Sequence, residues 1–91
     1  MARLPVDALT YDRHTVGARL RSFREARGMT QSDVAWNAGI TQAALSNYEN
    51  GKRDVPLPSL LSLARVLQIS SIELVPELQL APGADNLRVE A

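Results

Sequence analysis

Gln42, Ala43, Ser46 and Asn47 are separated by one and four positions, a spacing that gathers them on one side of a helix. Leu45 and Tyr48 take the opposite side. A Gln or Asn carboxamide presents a donor and an acceptor in one plane, which suits a bidentate pair with the major-groove edge of adenine. Ala43 suits contact with a thymine methyl. The chemistry these residue types offer is recognition of a base edge, without making or breaking bonds. The plainer alternative is a solvated polar face with no partner.

The residue inventory excludes most other chemistry. The 91-residue chain contains no cysteine, so disulfides, thiolate zinc sites and cysteine nucleophiles are absent. Its single histidine, His14, cannot build a multi-histidine metal site and receives no role. No nucleophile–base pair at useful spacing, glycine-rich phosphate loop or metal-ligand cluster stands out, so the sequence predicts no enzyme, no metal and no cofactor. No apolar run approaches the ~20 residues of a membrane span. The first residues lack the apolar stretch of a secretory signal, and a cytoplasmic location is the expectation.

The elements that must carry the candidate face are short helices. Val16, Leu20, Phe23 and Arg27 recur at helical spacing, Asp12 or Thr15 can cap the start, and Gly28 supplies a stop, which predicts helix one over about 16–27. Thr30 and Asp33 resemble a capping box ahead of Val34, Ala35 and Ala38, giving helix two over about 31–38 before Gly39. Thr41 is the next N-cap candidate, and helix three runs over about 42–50 to the breaker pair Asn50-Gly51. Leu60, Leu63, Ala64 and Leu67 predict helix four over about 59–68, with Pro58 suited to a first turn. Ser70 and Glu73 open a fifth over about 71–75. The fold class is all-α, with an N-terminal arm over 1–14, a helical domain over 15–75 and a tail over 76–91.

A helix, a short turn holding Gly39 and a second helix have the spacing of a helix-turn-helix. The surrounding residues make the pattern specific. Leu20, Arg24, Gly28-Met29-Thr30-Gln31, then Val34-Ala35, Ala38-Gly39-Ile40-Thr41, Leu45-Ser46, Tyr48-Glu49, Gly51, Pro56, Leu63-Ala64, Leu67, Ile69 and Leu74 fall in one order across about 60 of the 91 residues. Residues 16–75 thereby resemble the lambda-repressor/Cro-type helix-turn-helix domain, the XRE family. The resemblance implies a compact five-helix domain that binds double-stranded DNA, usually as a homodimer on a pseudo-palindromic operator.

On that resemblance the base-reading residues are Gln42, Ala43, Ser46 and Asn47, while Gln31 takes a phosphate contact at the first turn of helix two. Thr30, Thr41, Asn50, Lys52 and Arg53 are placed to grip the backbone around the groove, although Asp54 departs from a loop that often carries more positive charge. Arg24 and Glu49 carry over as a structural ion pair joining helix one to the end of helix three. Trp36 points away from the core face of helix two. It is expected either to pack on the arm near Tyr11 or to form a dimer or partner contact. Ile72, Val75, Leu78 and Leu80 are the first choice for a self-association surface, the alternative being that the tail packs back on the domain.

Charge agrees once it is divided along the chain. Ten Lys and Arg balance ten Asp and Glu. Residues 13–53, however, hold seven basic groups against three acids, a balance of +4, offset by −1 over 1–12 and −3 over 54–91. The expected function is a sequence-specific DNA-binding regulator in a bacterial or phage-type cytoplasm, associated with the nucleoid when bound. The second reading is an antitoxin that binds a toxin protein, folds its tail on that partner and represses its own operon.

Overall fold

A computed structural model describes residues 12–76, and among these every regular element is helical. The helices are α1 (Arg13–Ala26), α2 (Gln31–Ala38), α3 (Gln42–Glu49), α4 (Leu57–Leu67) and α5 (Ser71–Leu74). Most of the expected arm and tail, residues 1–11 and 77–91, lies outside the described residues.

Local chemistry explains where the helices start. Asp12 caps α1, its carboxylate accepting from the His14 N–H at 3.0 Å and the Thr15 hydroxyl at 2.9 Å. Those two hydrogen bonds, the Thr15 bond foremost, hold the Asp12 carboxyl below its usual acid range. The helix therefore begins at Arg13, three residues before the apolar periodicity becomes visible, and His14 lies in its first turn. Thr30 and Asp33 form a reciprocal capping box on α2, and Thr41 accepts from the Ala44 N–H at the start of α3. α4 begins at Leu57, two residues earlier than expected, with Pro58 in the first turn where its missing N–H costs nothing.

The helices also stop in a common way. Gly39 adopts φ +74°, so that the Ile40 N–H reaches the Ala35 carbonyl at 3.0 Å and the chain reverses into α3 within three residues. The same paired bonds close α4 at Gln68, which holds φ +59° despite its side chain. α5 is the shortest element, and Arg19 of α1 donates to the Leu74 carbonyl at its end, 3.1 Å away.

Packing is set by small residues as much as by large ones. α1 lies on α3 and α2 on α4, around a core of Val16, Leu20, Val34, Leu45, Leu63, Leu67 and Leu74. Gly17 sits where α1 crosses α3. A β-carbon there would meet the Tyr48 carbonyl oxygen and lie 2.7 Å from that of Glu49. Val75 belongs to this core at 3% exposure, which corrects its assignment to a self-association surface. Val75 is the C-cap of α5, its backbone N–H closing the last helical bond to the Ser71 carbonyl, and its side chain joins the core cluster beside Leu74.

Candidate nucleic-acid interface

The site is built around the two faces of α3. Leu45 and Tyr48 are buried on one, while Gln42 and Ala43 are exposed and Ser46 and Asn47 half-buried on the other. The four candidate base-reading residues thus share an accessible surface. Thr41 at the N-cap uses its hydroxyl oxygen to accept from Ala44, which leaves the hydroxyl hydrogen able to donate outward. Thr30 has the same arrangement at the start of α2, accepting from Asp33 at 3.0 Å. Both N-termini expose backbone N–H groups with the partial positive charge that suits phosphate.

What holds α3 in place is a buried carboxylate. Glu49 is the one buried charged residue among the described residues, its side chain 1% exposed. Its oxygens accept from Arg24 Nε at 2.7 Å and Arg24 Nη2 at 3.1 Å, a bidentate pair between α1 and α3. Arg24 Nη1 also donates to the Met29 carbonyl at 2.9 Å, in the turn before α2. The Glu49 bonds push the Arg24 pKa upward, so the guanidinium is charged at every accessible pH.

A third donor reaches the same carboxylate. Gln31 Nε2 donates to Glu49 Oε1 at 3.0 Å, so one of its two amide hydrogens is committed inward. Glu49 is therefore a node that ties α1, the start of α2 and the end of α3 together. The second amide hydrogen of Gln31 and its backbone N–H, at the first position of α2, remain for an outward partner.

Around the groove face, Lys52 and Arg53 are exposed and neither forms an ion pair with another described residue, Asp54 included. Asn50 caps α3 and turns its carboxamide back to Ser46 Oγ at 3.3 Å. Gly51 packs against the His14 imidazole, bringing the first turn of α1 beside this loop. Ser32, which sequence inspection passed over, donates across the turn to Gln42 Oε1 at 3.3 Å. No periodicity marks it, since it lies off the apolar stripe of α2.

Exposed apolar side chains occupy other faces. Trp36 is 85% exposed on α2, and the position of its suggested neighbour Tyr11 lies outside the described residues. Ile72 is partly exposed, whereas Leu78 and Leu80 lie outside the described residues. Leu57 and Leu61 are more exposed than Ile72 and went unnoticed in sequence. They are four apart on α4, off the buried Leu60–Leu63–Leu67 stripe, and that spacing was the available signal. Among the described residues no cluster of three or more His, Cys, Asp or Glu could hold a metal, and no helix is long and apolar enough to cross a membrane.

An outward polar face on the second helix of a tight helix–turn–helix, steadied by a buried ion pair, is the arrangement of a helix-turn-helix DNA-binding domain. Residues 15–78 match a family model described as a helix-turn-helix domain, and the chain belongs to the XRE, or lambda-repressor/Cro-type, helix-turn-helix family. It is 36% identical over 63 residues to the HTH-type transcriptional regulator y4dJ of Sinorhizobium fredii, covering 69% of this chain and 82% of that one. It is 43% identical over 54 residues to the HTH-type transcriptional repressor RghR of Bacillus subtilis, covering 58% of this chain but 40% of that one. Among solved structures it resembles the restriction-modification controller protein C.AhdI of Aeromonas hydrophila, with a TM-score of 0.68 and 36% identity. That match covers 69% of this chain and 96% of the other. These relatives are named as a transcriptional regulator, a transcriptional repressor and a controller protein.

Proposed function

We propose that the protein is a sequence-specific transcriptional regulator that binds double-stranded DNA with α3 in the major groove. The observation that carries this reading is the division of α3 into a buried face and an outward Gln42–Ala43–Ser46–Asn47 face, with a buried carboxylate at its end. Gln42 and Asn47 read bases, with Ala43 and Ser46 completing the contact surface. Thr30, Gln31, Thr41, Asn50, Lys52 and Arg53 grip phosphates on either side. The kinship with a named repressor supports regulation, and C.AhdI, a named controller protein, supports it further.

The protein acts as a homodimer on a pseudo-palindromic operator in the cytoplasm, since one helix of eight residues reads too few bases for specificity alone. Among the described residues, Trp36, Leu57, Leu61 and Ile72 are the exposed large apolar side chains from which a dimer or partner surface can be drawn.

Selection of bound sequences from a random DNA pool tests the proposal. The expected result is a palindromic consensus with half-sites about one helical turn apart; no enrichment overturns it. On that consensus Gln42→Ala and Asn47→Ala should each cost roughly 1–3 kcal/mol and spare non-specific binding. Lys52→Ala should instead weaken binding to every sequence and flatten its salt dependence.

A further inference from the structure

We infer that Ser32 is a positioning residue that sets the base preference of Gln42, an inference that rests on the reading of α3 as the recognition helix. Ser32 stands at the second position of α2 and Gln42 at the first of α3. They are ten residues apart, and the turn at Gly39 brings the Ser32 hydroxyl to 3.3 Å from Gln42 Oε1. The hydroxyl is not drawn into capping, because Thr30 and Asp33 satisfy one another.

The consequence follows from the symmetry of a carboxamide. An exposed glutamine turns readily about its last torsion, and a half-turn exchanges its donor for its acceptor. Donation by Ser32 into Oε1 selects one orientation, with the carbonyl toward α2 and the two Nε2 hydrogens pointing away from it. That orientation offers a donor to purine N7 and keeps one Oε1 lone pair for the adenine N6 amino group. Guanine presents a second acceptor, O6, where adenine has its amino group, so the held carboxamide discriminates against it. Without Ser32 the side chain is free to present either end, and the preference relaxes. At 3.3 Å the bond is long for a hydroxyl donor, so its effect is modest.

The test uses the full chain and duplexes carrying the selected consensus or its single-base variants. The Gln42 position is defined as the one whose preference disappears in Gln42→Ala. There, Ser32→Ala should lower the adenine-to-guanine preference by about two- to fivefold, while Ser32→Thr, which keeps the hydroxyl, retains it. Affinity for unrelated DNA and the thermal midpoint should be unchanged, and Ser32→Ala should add nothing in a Gln42→Ala background. An unaltered preference in Ser32→Ala, or equal losses with and without Gln42, overturns the assignment and leaves α3 as the reading helix. If Gln42→Ala shifts no base position, base reading by Gln42 fails and the role of Ser32 falls with it.

Discussion

Removing the Glu49 carboxylate is the most demanding test of how α3 is held. In Glu49→Ala the Arg24 guanidinium, 11% exposed, keeps its charge but loses both bonds to that carboxylate, leaving only the exposed Glu25 at 4.0 Å as an ion partner, and Gln31 Nε2 loses its acceptor. Breaking a buried ion pair from one side costs about 3–5 kcal/mol, because the remaining charge is stranded away from water. Small domains are stable by roughly 0.05–0.15 kcal/mol per residue, so a loss of this size consumes most of the margin and leaves much of the variant unfolded. Far-UV circular dichroism in urea should report it. Trp36 emission is a poor probe because the ring is already 85% exposed in the folded state. The loss should change little between low and high salt, since buried charges are weakly screened. Arg24→Met combined with Glu49→Leu should recover part of the stability, as no orphan charge is left. A cost below about 1 kcal/mol for Glu49→Ala, or a double variant as unstable as the sum of the two single changes, would refute the node.

Gly17→Ala should destabilise by about 2 kcal/mol net, because overpacking against backbone atoms outweighs the roughly 1 kcal/mol gained in helix propensity; a more stable variant in chemical denaturation would show that α1 and α3 do not meet as described. Gln68→Gly should stabilise by about 0.5–1 kcal/mol, relieving a left-handed conformation that costs a side-chain-bearing residue about 1–2 kcal/mol; a lowered melting temperature would count against it. The Asp12 carboxyl is lowered from its ordinary 3.8 by the Thr15 and His14 hydrogen bonds, so its contribution is present above that value and lost as pH falls through the lower folded value. Denaturation of the protein and of Asp12→Ala across pH should show their difference shrinking in acid, and a constant gap would dismiss the cap.

The sequence alone determined the five helices, their order and the helix-turn-helix, because these depend on interactions within a few residues. Caps at Thr30, Thr41 and Ser70 and the reversal at Gly39 are local hydrogen-bond chemistry, legible in residue type and spacing. The outward face of α3 was legible for the same reason, since helical period assigns one side to Leu45 and the other to Gln42 and Asn47. Tertiary structure decided whatever depends on which faces meet. Gln31 gained an inward bond because Glu49, eighteen residues later, comes within reach of its amide. Val75 went into the core because α5 packs against α1 and α4, whereas its apolar character alone fitted a surface equally well. Gly17 reads as an ordinary helical residue until α3 crosses it, and Ser32 as an ordinary solvated one until the turn brings Gln42 beside it. Spacing along the chain orders atoms within a helix, but only packing fixes the distances between helices, and hydrogen bonds and steric exclusion respond to a few tenths of an ångström.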